Sequence, residues 1–295
     1  MASTESADPR YTEIDAWPTV DAVGAMLEGQ LSAIAALQTQ AEAIAQAASA
    51  AADRLKHGGR LVYAGAGTSG RVAVQDGVEL GPTFGWPATR LLYLMAGGMS
   101  ALAASAEGAE DDAAAARTAI RTSGIGPDDV VIGLAASGRT PFTLAAIESA
   151  RAAGALTIAI ANNPCTPLLT AAEHAIFAET GSEVIAGSTR MQAGTAQKVV
   201  LNTLSTAIML RLGHVYRGLM VDMVISNDKL LRRAHRIVQT LTDCSEDVAA
   251  AATEASGRDI KTAVLIAKGL STDTARALLA EHGGLLRDAI SAMES

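Results

Sequence analysis

The chain has 295 residues, of which 49% are hydrophobic, 18% charged and only 3% aromatic, and it carries a net charge of −8 at pH 7. That length and composition specify a folded chain with one large core and room for a smaller one, and exclude a disordered one. An acidic, aromatic-poor chain has no electrostatic reason to hold DNA, RNA or anionic lipid and no platform for stacking bases. An anionic small molecule would need a local nest of donors working against the overall field.

The first thirty residues lack the basic start and apolar run of a signal peptide. Val20, Val23, Leu27, Leu31, Ile34, Leu37, Ala41 and Ile44 then recur at three- and four-residue steps, predicting a long helix or helix pair that runs to about Leu55 and stops at Gly58-Gly59. Five short apolar runs follow, 60–65, 89–96, 129–136, 155–161 and 173–178. Most are continuously apolar, as expected of strands covered on both faces, and helical segments connect them. The predicted architecture is an α/β fold with a doubly wound, mostly parallel sheet. A helix from about Gly187 to Gly213 is apolar around much of its circumference, which implies burial on more than one side, against a second subunit or inside one. Beyond about residue 240, short alanine-rich segments punctuated by Gly257, Gly269 and Gly283-Gly284 predict a small helical bundle. The longest uncharged stretch, 152–172, is broken by Asn162, Asn163, Pro164 and Pro167 and does not read as a membrane span. Cys165 and Cys244 have no metal-ligand spacing and read as idle thiols, so a reduced cytoplasm is the expected location.

Ligands of such sheets sit beyond the carboxyl ends of the strands. There, Gly65, Gly67 and Gly70 fit G-x-G-x-x-G, the spacing of a dinucleotide loop. That reading wants a carboxylate at the end of the second strand, where the chain has Leu94-Met95-Ala96-Gly97-Gly98, and a Walker lysine is replaced by Arg71. NAD and ATP lose ground to a phosphorylated sugar or similar metabolite. The unit strand, Ser-Gly-Arg, helix occurs twice: Thr68-Ser69-Gly70-Arg71, then Ser137-Gly138-Arg139-Thr140, with Pro141 at a first helical position and Thr140 as its cap. A third hydroxyl cluster is Gly187-Ser188-Thr189-Arg190. Helix capping accounts for any one of them, but three on one sheet edge point to an anion site made of amides and hydroxyls. Two carboxylates stand near these loops. Glu79 falls near the end of the first loop's helix and Glu110 just before an alanine-rich helix, and spacing alone does not bring them together.

The blocks 65–71, 82–85, 107–111, 133–141, 187–198 and 219–230 together resemble the N-acetylmuramic acid 6-phosphate etherases, sugar-phosphate lyases of the sugar isomerase (SIS) fold, and the resemblance runs from about Thr4 to the C-terminus. It implies cleavage of the D-lactyl ether of N-acetylmuramic acid 6-phosphate in the recycling of cell-wall amino sugars. It further implies a homodimer with its site at the subunit boundary, and neither metal nor organic cofactor. The division it implies is an N-terminal arm with helices packing on the core (1–55), a sugar-phosphate domain (56–235) and a small helical domain (236–295).

By the same resemblance Glu79 takes the proton-donor position and Glu110 that of the second catalytic carboxylate, and either can remove the C2 proton. Partial burial is expected to raise both toward neutrality. Ser69, Ser137 and Thr140 would hold the phosphate with Thr68, Ser188 and Thr189 as further candidates, while Gly67, Gly70 and Gly138 allow close backbone approach. Lys229 matches a family lysine that steadies the enediolate; a plain surface lysine is the other reading. Arg71, Arg139 and Arg190 either orient loops or meet the lactyl carboxylate. The chain departs from the family's pattern at Leu80-Gly81-Pro82, at Gln192 and at Asp8. Two rival readings remain: a non-catalytic sugar-phosphate sensor, which would need no pair of glutamates, and an aldose–ketose isomerase, which would release no lactate.

Overall fold

A computed structural model of the chain describes residues 3–104 and 106–294. Contacts divide it into two compact units, Met1–Gly77 with Thr89–Ile208, and Val78–Ala88 with Met209–Ser295. The first unit is built on β1 (Leu61–Gly65), β2 (Leu91–Met95), β3 (Val130–Leu134), β4 (Leu156–Ala161) and β5 (His174–Phe177), so all five apolar runs become strands. They pair in parallel in the order β2-β1-β3-β4-β5. Every residue of β1, β3 and β4 is buried, which is why these runs do not alternate.

Helices α1 (Thr19–Ala36) and α2 (Ala41–Leu55) precede the sheet, joined by a 3-10 turn at Leu37–Gln40. By length and composition alone, Thr19–Leu55 is one helical run among the described residues that could cross a membrane. Its second half is instead a core helix: α2 packs on β3, β4 and β5 and buries Ile44, Ala47, Ala48, Ala51, Ala52 and Leu55. Helix α1 buries only Gly29 and Ala33, and leaves Val20 (75%), Leu27 (61%) and Leu31 (69%) open to solvent.

After β1 comes α3 (Gly67–Phe84), then α4 (Ala113–Thr122), α5 (Pro141–Ala152), α6 (Pro167–Ala171) and α7 (Gln192–Arg211). Val62, Ala64, Val131 and Ala159 of the sheet share one core with Ala116 and Ile120 of α4 and Phe142, Ala146 and Ile147 of α5. Alternate strand residues face the other way. There, the fully buried Tyr63 donates its hydroxyl to Asp76 of α3 at 2.7 Å. Asp76 also accepts from Asn202 (2.6 Å) and Ser205 (3.2 Å) of α7, so one buried carboxylate joins β1, α3 and α7. Burial, with Asp76 close by, pushes the Tyr63 hydroxyl well above its usual range and Tyr93 up to about 12. Helix α7 is buried around most of its circumference, with Ala193, Val200, Leu201, Leu204, Ile208 and Met209 all sealed, and only a narrow strip including Thr206 and Leu210 stays exposed. The burial on more than one side expected from its sequence is thus already met inside one chain.

The second unit gathers α8 (Asp228–Thr242), α9 (Glu246–Ala255), α10 (Ile260–Ala267), α11 (Thr272–Glu281) and α12 (Leu286–Glu294) with a two-stranded antiparallel ribbon, β6 (Val215–Tyr216) and β7 (Leu219–Met220). Its core runs through Val221, Ile237, Val238, Val264 and Ile290. The Asp222 carboxylate lies 2.7 Å from His214 Nδ1 and 2.6 Å from Lys261 Nζ, and the same ammonium donates to Gly284 O at 2.9 Å. The end of α3 joins this unit through a bond from Val224 N–H to Pro82 O at 3.1 Å.

At the amino edge of the sheet, Asp129 accepts two bonds from the Arg60 guanidinium (3.1 and 2.7 Å) and one each from the Arg60 and Gly126 amides. Burial pushes this carboxyl up, but the bonds from Arg60 and Gly126 pull it below its ordinary value. A depressed carboxyl stabilises the fold above the unfolded value of about 4 and loses that contribution as pH falls through the folded one. Asp129→Asn should therefore cost about 2 kcal/mol at neutral pH and flatten the acid limb below pH 4, as read by urea unfolding at a series of pH values.

Candidate functional site

The strand order reverses between β1 and β3, so the loops after these strands diverge and leave a crevice at the carboxyl edge. A cavity of about 460 Å³ occupies it. Its wall takes Gly67, Thr68 and Ser69 from the start of α3, Ser137, Arg139 and Thr140 from the turn into α5, Thr189 from the turn before α7, and Glu110 with Asp111 from the 3-10 turn before α4. Two of the three sequence clusters thus open helices on one wall, and the third contributes Thr189.

Close backbone approach explains the glycine spacing in the first loop. A Cβ on Gly65 would stand 2.9 Å from Gly70 N, so the strand end and the first helical turn touch main chain to main chain. Gly138 has φ +62, and a Cβ there would collide with the Thr166 side chain. Gly70 and Gly138 are buried and are not among the lining residues; neither is Ser188, whose N–H bonds to Ile185 O.

Thr140 occupies the N-cap position before Pro141 as expected, but its side chain makes no capping bond. Thr140 instead belongs to the cavity's lining. Ser137 Oγ accepts the Arg139 N–H at 3.2 Å, and Ser69 is 7% exposed.

Of the three arginines left with two readings, Arg71 is settled as a loop clamp. Its Nε donates to Leu102 O (3.1 Å) and its Nη2 to Ala101 O (3.0 Å), pinning the loop between β2 and Glu110. A second cavity of about 240 Å³ lies against this loop; it is lined by Arg71, Glu107 and Ala101 and shares Ala66, Gly67 and Glu110 with the first. Glu110 therefore stands on the wall between two chambers.

Glu79 lies on α3, and Lys229 in the first turn of α8; both belong to the second unit and are exposed. Glu110 is exposed as well. The partial burial expected of the two glutamates is not supplied by a single chain, because the loop of Glu110 and this stretch of α3 both face solvent.

Two carboxylates that sequence reading passed over shape the site from behind. Glu183, 1% exposed, accepts the Gln192 and Ala193 amides (both 2.9 Å) and so caps α7 from ahead of the third hydroxyl cluster. Burial pushes its carboxyl up against the pull of those two amides. The other is Glu5. The Thr4 N–H lies 3.3 Å from Asn163 Oδ1, and Thr4 O accepts the Gly187 N–H at 3.0 Å, which brings Glu5 to the cavity wall. Neither had a signal in local spacing, since both act across long sequence separations or through a loop.

Residues 42–151 match the glucokinase regulatory protein N-terminal SIS domain, and residues 113–207 the SIS domain. The E. coli CFT073 c3406 protein, solved as a complex with a ligand, superposes with a TM-score of 0.50 at 17% identity over 68% of this chain and 94% of that one. An N-acetylmuramic acid 6-phosphate etherase of Deinococcus radiodurans is 47% identical over 99% of this chain and 96% of its own length. Another from Streptomyces coelicolor is 45% identical over 98% and 94%. With a sheet of SIS type and full-length relatives at this identity, the chain belongs to the N-acetylmuramic acid 6-phosphate etherase family.

Proposed function

We propose that this chain is a carbon–oxygen lyase that converts N-acetylmuramic acid 6-phosphate and water into N-acetylglucosamine 6-phosphate and D-lactate. The observation that carries the reading is the position of Glu110, on the wall between a hydroxyl-ringed cavity and a second chamber. In this reading the first cavity holds the phosphate, with Ser69, Ser137, Thr140 and Thr189 supplying hydroxyls and the start of α3 supplying amides, and the sugar extends past Glu110.

The chemistry requires an acid and a base because an ether leaves as an alkoxide unless it is protonated. With the sugar ring open, the C2 hydrogen lies α to an aldehyde. A carboxylate removes it, the electron pair forms the C2–C3 double bond, and the C3–O bond breaks as a carboxylic acid protonates the lactyl oxygen. Water then adds at C3 and a proton returns to C2. We assign these proton transfers to Glu79 and Glu110, with Lys229 steadying the enediolate charge; Glu110 is the member whose place on the cavity wall supports the assignment.

A homodimer belongs to the same proposal. The open apolar face of α1, Val20, Val23, Leu27, Leu31 and Ile34, suits a second copy. Binding of substrate and of that copy would supply the burial that both glutamates lack. Free thiols at Cys165 and Cys244 suit a cytoplasmic setting.

Purified protein should release lactate from N-acetylmuramic acid 6-phosphate, measured with lactate dehydrogenase. Glu79→Gln and Glu110→Gln should each lower turnover by about 10²–10⁴-fold while N-acetylglucosamine 6-phosphate still binds; an unaffected variant loses its assigned role. In deuterium oxide the sugar product should carry deuterium at C2, whereas direct displacement at C3 leaves it unlabelled, and an isomerase labels C2 without forming lactate. Leu27→Lys combined with Leu31→Lys should shift the protein from dimer to monomer in sedimentation velocity; an unchanged dimer places the interface elsewhere.

A further inference from the structure

The N-terminal arm is tied into the cavity by more than chain proximity. Thr4 is fully buried. Its Oγ1 accepts from Asn163 Nδ2 at 2.9 Å, and the same amide group donates to Ala136 O at 2.9 Å. Asn163 follows β4 and Ala136 follows β3, so the arm is bonded to the carboxyl edge of the sheet itself. The bond from Gly187 N–H to Thr4 O fastens the other side, onto the turn that carries Thr189. A Cβ on Gly187 would lie 3.0 Å from Glu5 Oε2, which places the Glu5 carboxylate against that turn.

A carboxylate on the wall of an anion cavity is electrostatically costly, because it repels a phosphate bound to the hydroxyls around it. It is useful only to a ligand that brings donors of its own. A phosphorylated sugar does so through its hydroxyls, and a hydroxyl bonded to a carboxylate is one of the stronger kinds of hydrogen bond. We infer that Glu5, held by the Thr4 anchor, is a specificity-determining residue that accepts sugar hydroxyls and so favours a sugar phosphate over phosphate alone. This rests on the reading that the cavity holds a sugar phosphate. Glu110 and Asp111 are further acceptors on the lining of the same cavity.

The test is calorimetric binding of two probes, inorganic phosphate and N-acetylglucosamine 6-phosphate, neither of which depends on turnover. Glu5→Ala should bind inorganic phosphate about threefold more tightly, as the like charge is gone, and the sugar phosphate about tenfold more weakly. Thr4→Val, which keeps the Glu5 charge but loosens its anchor, should weaken the sugar phosphate and leave inorganic phosphate within about twofold. Tighter binding of both probes by Glu5→Ala would make the carboxylate a mere stand-in anion and overturn the inference, as would unchanged binding of the sugar phosphate. Ser137→Ala separates this from the underlying reading. If it weakens both probes, the cavity holds phosphate and only the Glu5 role is at stake; if it weakens neither, the cavity assignment itself fails and the Glu5 role with it.

Discussion

Each helix that leaves the carboxyl edge of the sheet starts with N–H groups that its own turns cannot satisfy, and the site depends on how those donors are spent. Three of these helices spend them on the protein. Asp112 caps α4 through Ala115 N–H (2.8 Å), Thr166 caps α6 through Leu169 N–H (3.5 Å), and Glu183 caps α7 twice. Helix α5 does not: Thr140 makes no side-chain cap, and Pro141 removes a donor that would otherwise stand idle. Thr140, its side chain not spent on a cap, belongs to the cavity's lining. On the proposed reading, a chain of net charge −8 holds an anion through fixed dipoles at short range, with Arg139 on the same wall, where the overall field is screened.

The carboxylates around this edge divide by what surrounds them. Glu183 and Asp76 are sealed from water and fully engaged, one by helix amides and the other by Tyr63, Asn202 and Ser205. Their work is to hold backbone: Glu183 fixes where α7 begins, and with it the turn that presents Thr189. Asp76 locks α3 and α7 to β1, which keeps the first donor loop in register with the sheet. A buried carboxylate with both oxygens engaged makes a rigid support. Glu110 is the opposite case, exposed and on the wall of an open chamber.

Much of this was legible in the sequence, and the reason is local. Strands covered on both faces announce themselves as unbroken apolar runs, so β1 to β5 stood out from composition alone, and the duplicated Ser-Gly-Arg turn marked where two of them end. The tight contact of Gly65 with Gly70 likewise follows from spacing within one short loop. What escaped notice depends on contacts between distant segments. Thr4 meets Asn163 across 159 positions, and Asn202 meets Asp76 across 126. His214 drew no attention among five scattered histidines, yet it joins Asp222 and Lys261 in the second unit through partners that no periodicity connects. The short ribbon of β6 and β7 escaped for another reason: two residues per strand are too few to carry an alternating pattern.

A single chain leaves two deficits that chemistry and solubility would each want removed. Proton transfer from carbon favours carboxyls shielded from bulk water, since burial raises their affinity for a proton toward neutral pH, yet Glu79 and Glu110 are both exposed. An apolar stripe along α1 meanwhile stands in water with Leu27 and Leu31 more than half open. Hydrophobic area of that extent is a cost to an isolated molecule and a gain to an assembled one. Helix starts and their hydroxyls lie within the chain, whereas the open face of α1 and the exposed glutamates are what the proposed second copy would cover.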